Sequence, residues 1–200
     1  MGLNTEADIC NLALARIGQT AEITDLNDTS AAGLQCKRLY PHCRDLLLQR
    51  AWWPFATRRA TLTLLSDVER SGWEYVYSLP SDCIAVQEIW NGQRRSLPKN
   101  REPFKVEHHS TGKVLLTDAA EPEVLYTARV TEPVRFSPSF ADALAWHLAL
   151  ELTVALSDAR AHRQMVRQEA DLAWRSAVAA DFSEGQMDPP PKSELITGRG

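Results

Sequence analysis

Two hundred residues at 44% hydrophobic and 24% charged make an ordinary globular composition, enough for one sizeable domain or two small ones, and exclude a chain that is disordered by default. A formal net charge of −4 argues against a free-standing nucleic-acid binder, because non-specific affinity comes from Lys and Arg displacing counterions from phosphates. The longest strongly apolar run, 143–156, is broken by His147 and Glu151 and falls short of the roughly 20 residues of a membrane span, so no bilayer crossing is expected.

The first residues, "MGLNTEADIC", carry no basic start, apolar stretch or cleavage site, which predicts a chain kept in a reducing compartment. Thr5 followed three residues later by Asp8 resembles a capping box with a shortened acid. Ile9, Leu12, Ala13 and Ile17 then fall near helical spacing until Gly18. A second helix is predicted from about Ser30, with Ala32, Cys36, Leu39, Cys43, Leu46 and Leu47 as its apolar stripe. Pro41 sits in its middle, where it deletes a backbone hydrogen bond at roughly 3 kcal/mol; the expectation is a kink, or two abutting helices. This helix must end before Pro54.

In "WEYVYSLP" (73–80) the period changes to two, the mark of a half-buried strand. "CIAVQEIW" (83–90) reads as the next strand, followed by Asn91-Gly92 as a hairpin-type turn. "KVLLT" (113–117) and "VLYTARV" (124–130) are two more, and 60–65 a possible fifth. Helix returns at 141–156, apolar around most of its circumference and therefore expected to be a central, buried pillar. After Ser157 and Asp158 a last helix is predicted to about Ala180. One of its sides carries Arg160, Arg163, Arg167 and Arg175; the other carries Val166, Ala170, Ala173 and Ala177, with Trp174 as a large projection. From Ser183 the chain is polar, Pro- and Gly-rich and aperiodic.

The fold class that follows is α+β: a helical bundle built from both chain ends, 1–57 and 136–182, an inserted small antiparallel β module at 58–135, and an extended or disordered tail at 183–200. Trp52, Trp53 and Phe55 fall where helix hands over to sheet. Three aromatics at one joint bury enough area to hold two modules in a fixed relation, which suits a structural part better than a hinged enzyme. Cys10, Cys36, Cys43 and Cys83 are too widely spaced for a CxxC pair and read as structural thiols.

Taken together, "NLALARIGQ", "CKRLYPHCRDLLL", "WWPFA", "GWEYVYSLPSDCIAV", "VLYTARV" and "FSPSFADALAWHLALELT", in this order over about 4–180, resemble the tail tubular protein A family, the head-to-tail adaptors (connectors) of tailed bacteriophages. Pro41 and the doubled tryptophan are departures from the family pattern. The resemblance implies a non-enzymatic virion protein, without cofactor or metal, that forms a homo-oligomeric ring, dodecameric in the family. Its implied partners are the portal protein and the tail nozzle or next tail protein, and DNA passes through the lumen without specific binding. The implied location is the head-tail interface of the virion, with the host cytoplasm during assembly. A ring multiplies the net negative charge of each copy, and a negative wall lets DNA slide without sticking.

Two local stretches point to contacts within such a particle. Arg94, Arg95, Lys99, Arg101 and Lys105, with Glu102 as the single acid among them, lie in what reads as a loop: a solvated one, or a contact to an acidic neighbour or the nozzle. Leu195 and Ile196 are the large aliphatics of the polar tail and are the candidate portal-docking segment.

Other function classes have less behind them. A DNA-packaging accessory protein would use Arg160, Arg163 and Arg167 as a helical DNA-binding face. A hydrolase would need His147 and Glu151, one helical turn apart, with Asp142, as base or metal ligands. No HExxH, GxSxG or phosphate-binding glycine loop accompanies them, and a buried His bonded to the nearby carboxylate is the plainer reading. His108-His109 likewise reads as loop more readily than as a metal site.

Overall fold

A computed structural model describes residues 3–20, 22–68, 70–90, 102–110, 112–156 and 160–184, without the side chains at 160–161 and 182–184. Its backbone separates into two units. One combines Met1–Thr57 with Thr127–Glu184 and is helical; the other, Arg58–Tyr126, carries most of the strands. The fold is α+β, with four helices and two antiparallel sheets.

Helix α1 (Glu6–Arg16) starts on the capping box visible in the sequence. The Thr5 hydroxyl accepts from the Asp8 N–H at 3.1 Å, and Asp8 Oδ2 accepts from the Thr5 N–H at 2.9 Å. The helix stops on Gly18, whose φ of +75° only glycine adopts without strain. There Gly18 N–H bonds Ala15 O and Gln19 N–H bonds Leu14 O, both at 3.0 Å, a Schellman closure. Asn11 then pins the following segment, donating to Ile23 O and accepting from Ile23 N–H.

Helix α2 (Ala31–Arg50) is capped by the Ser30 hydroxyl, which accepts from Gly33 N–H. It runs through Pro41 as one continuous helix, so the alternative of two abutting helices does not hold. The carbonyl that proline leaves without a donor belongs to Lys37, one turn back on the exposed side, where water can serve it. Gly33 is required by space: a Cβ there would lie 2.5 Å from the backbone oxygen of Asp28. Gly33→Ala is therefore expected to lose about 1–2 kcal/mol net, overpacking outweighing the gain in helix propensity, as read from the urea midpoint.

Helices α3 (Pro138–Leu156) and α4 (Arg160–Glu184) complete the unit. By length and composition α3 could cross a membrane, a test that the core helix of a bundle also passes. Phe140, Leu144, Leu148 and Leu152 are fully buried along it, and it packs against α1, α2 and α4. Asp181, near the end of α4, is 5% exposed and accepts from Ser137 and Ser139 Oγ, each at 3.0 Å, tying that end to the start of α3. Helix α4 continues through Ser183 and Glu184, past the expected start of the tail; residues 185–200, with Leu195 and Ile196, lie outside the described residues.

The β unit contains β1 (Thr57–Thr61), β2 (Thr63–Leu64), β3 (Tyr75–Ser78), β4 (Cys83–Trp90), β5 (Phe104–His109), β6 (Gly112–Thr117) and β7 (Glu123–Ala128). They form two sheets rather than one, in the orders β1-β7-β4 and β2-β3-β6-β5. In the second sheet Val76 pairs with Leu116 and Val106 with Leu115. Val76, Val114 and Leu116 form its small core, with Leu65, Val68 and Trp73 against it. The Asn91-Gly92 turn falls outside the described residues. The return to the helical unit lies within β7, between Tyr126 and Thr127, whereas the sequence pattern put it after 135. Ala128 and Val130 are buried, and Arg129 bonds Asp45 of α2 at 2.9 Å.

Candidate functional site

Of the three aromatics after α2, only two face inward. The backbone is extended from Ala51 to Trp53, so successive side chains point to opposite sides. Trp52 is 50% exposed and Trp53 fully buried. Trp53 Nε1 donates to Leu47 O at 2.9 Å, serving a carbonyl in the last turn of α2. Its ring meets Phe140 edge-on at 4.8 Å and Trp174 at 5.7 Å. Phe55 lies 5.0 Å from Phe140 and 5.7 Å from Phe136. The cluster thus gathers the end of α2, the start of α3 and the middle of α4 inside the helical unit. Trp174 is one of its walls rather than a lone projection.

Trp174 also borders a cleft of about 300 Å³ between α2, α3 and α4. It is lined by Arg50, Arg163 and Arg167, by Glu151 and Asp171, and by the apolar side chains of Leu47 and Leu150. The Arg50 guanidinium stands 5.2 Å over the Trp174 ring, a cation–π contact. Arg163 and Arg167 have no ion-pair partner among the described residues. Of the arginine side foreseen for α4, Arg163 and Arg167 line a cleft shared with carboxylates, Arg175 is exposed and not part of that lining, and the side chain of Arg160 is outside the described residues.

His147 lines the same cleft, but no hydrogen bond joins it to Glu151 among the described residues, correcting the expectation of a bonded pair. Asp142 is not with them: its carboxylate is held by Arg16, which also donates to Asp142 O at 3.0 Å and lies 4.1 Å over Trp146. No group of three metal-ligating side chains occurs among the described residues. Burial first, then the positive charge of Arg50 and, less, of His42 on α2, lowers the His147 pKa below its ordinary 6.5; Glu151 and Asp171 oppose the shift. Protonation is then easier in the unfolded chain than in the folded one. The stability that neutral His147 contributes is complete above 6.5 and is lost as pH falls toward the lower folded-state value. His147→Gln is expected to flatten the decline of the urea midpoint between about pH 7 and pH 5.

The remaining sequence candidates separate. Arg94, Arg95, Lys99 and Arg101 are outside the described residues. Lys105 is described and lies in strand β5, not in a loop; its Nζ bonds Glu107 Oε1 at 2.8 Å, and its side chain is mostly exposed. His108 and His109 are in the same strand, again not in a loop. All four cysteines are free and buried; burial pushes the Cys43 thiol up to about 12 and that of Cys83 up to about 11, far from a reactive thiolate. Sequence reasoning missed Arg50, Asp171 and the partners of Trp53. Arg163, Arg167, Asp171 and Trp174 do recur at helical intervals, which marks them as one face but not what that face meets.

No protein-family model matches the chain, and no curated protein matches it.

Proposed function

We propose that this chain is a structural head-to-tail adaptor of a tailed bacteriophage particle, without enzymatic activity. In this reading it assembles as an oligomeric ring between portal and tail, and DNA passes through the ring. The observation that carries the reading is the chain plan: residues 1–57 and 127–184 fold together as a helical unit, and 58–126 fold as a separate β unit inserted between them. That is the plan implied by the resemblance of the helical and strand motifs to tail tubular proteins. The net charge of −4 per copy also suits a conduit that DNA passes without sticking.

Electron microscopy of mature particles, with this chain located by a labelled terminus, tests the proposal. Density for a ring of this protein at the vertex where the genome leaves is the expected result. Its absence from that vertex ends the reading. Salt-dependent DNA binding by the isolated protein, lost in Arg163→Glu/Arg167→Glu, would instead favour the DNA-packaging accessory.

A further inference from the structure

The helical unit has a second hollow, on the far flank of the α3–α4 seam from the arginine cleft. On α4, Arg163, Arg167, Asp171 and Trp174 follow one another at intervals of three and four, on one side of the buried Val166–Ala170–Ala177 stripe. Met165, Glu169, Leu172 and Ser176 do the same on the other side, as 3.6 residues per turn requires. This second groove, of about 260 Å³, is bordered by Glu169, Leu172 and Ser176 of α4 and by Asp142 and Trp146 of α3.

The two flanks differ in character and complement each other. The first is lined by Leu47 and Leu150, by Glu151 and Asp171, and by three arginines, of which Arg163 and Arg167 have no ion-pair partner among the described residues. The second presents Leu172, 59% exposed, and Met165, 43% exposed, and between them Glu169, likewise without an ion-pair partner among the described residues. An isolated exposed leucine is ordinary, but here it stands one turn from an acid that has no ion-pair partner among the described residues. The opposite flank of the same unit holds a cleft with Leu47 and Leu150 in its lining, where Arg50, Arg163 and Arg167 outnumber the carboxylates of Glu151 and Asp171.

We propose that copies of this chain bind one another head to tail through these flanks. Leu172 of one copy fills the hollow over Leu47 and Leu150 of the next, and Glu169 meets Arg163 and Arg167. The inference rests on the ring reading above for the purpose of assembly, and on the two flanks alone for the surfaces. Such a contact is heterologous, the type that closes into rings when the rotation per copy allows it. Apolar filling supplies the affinity, and the charges set which flanks can meet.

Two full-length variants test it by sedimentation velocity, each checked by circular dichroism and its urea midpoint. Arg163→Glu/Arg167→Glu spoils the cleft and keeps the knob; Glu169→Arg/Leu172→Asp spoils the knob and keeps the cleft. All four positions are exposed or half-buried, so both variants should fold. Each alone is expected to self-associate at least about tenfold more weakly than wild type. Mixed in equal amounts they are expected to form a dimer that grows no further, since each retains one intact face. Variants that assemble like the wild type would overturn this inference and leave the adaptor reading untouched, because that reading is decided by the particle images. A wild-type chain that stays monomeric at every concentration would overturn the inference as well, whatever those images show.

Discussion

Trp53→Ala is expected to unfold the helical unit at a far lower urea concentration than wild type, with about 3–5 kcal/mol of stability lost. That is a large part of the roughly 5–15 kcal/mol by which a domain of this kind is stable. The ring is fully buried, and its removal empties the space between Phe140, Phe55 and Trp174, all on different elements. The indole N–H goes with it, leaving Leu47 O at the end of α2 without its donor. Trp53→Phe separates the two effects: most of the packing stays and the hydrogen bond does not, so a smaller loss, of about 1–3 kcal/mol, is expected. Trp52→Ala, at a half-exposed ring beside it, is expected to shift the midpoint by much less than Trp53→Ala. Equal effects from the two tryptophans would contradict the inward-outward alternation that the extended backbone imposes.

Leu148→Ala is expected to cost about 2–5 kcal/mol, because the cavity it leaves lies at the centre of α3 where three other helices converge and the surroundings cannot collapse to fill it. Val154→Ala, on the same helix but 57% exposed, is expected to stay within about 0.5 kcal/mol of wild type. Urea denaturation of the two variants checks both statements at once. The pair also tests what kind of helix α3 is: in a bundle the buried leucine dominates, whereas in a lipid-facing span the two positions would count more nearly alike.

Much of the fold was legible before any tertiary contact was known, and for identifiable reasons. The Thr5–Asp8 box, the Ser30 cap and the Gly18 stop are all local, each set by residues within a few positions of one another. Strand β4 appears over the very residues its apolar run marks. Strand β5 was illegible: it lies at the edge of its sheet, and Lys105, Glu107, His108 and His109 leave no run of alternating apolar positions to read. At Pro41 the pattern offered a kink or a break, and the helix is not broken, since the cost of a proline in a helix depends on whether the freed carbonyl faces water.

Sequence alone settled most element types, β5 excepted, many of their borders and the α+β class, because hydrogen-bond periodicity and capping are nearest-neighbour physics. Tertiary structure decided what those elements do to one another. It turned Trp53 inward and Trp52 outward, placed Trp174 against Trp53, took Asp142 away from His147 and gave it to Arg16, and set Arg50 beside Arg163 and Arg167 around one hollow. These partners are far apart along the chain. Burial and charge pairing act between surfaces in space, and no pattern within a single helix specifies which distant surface it will meet.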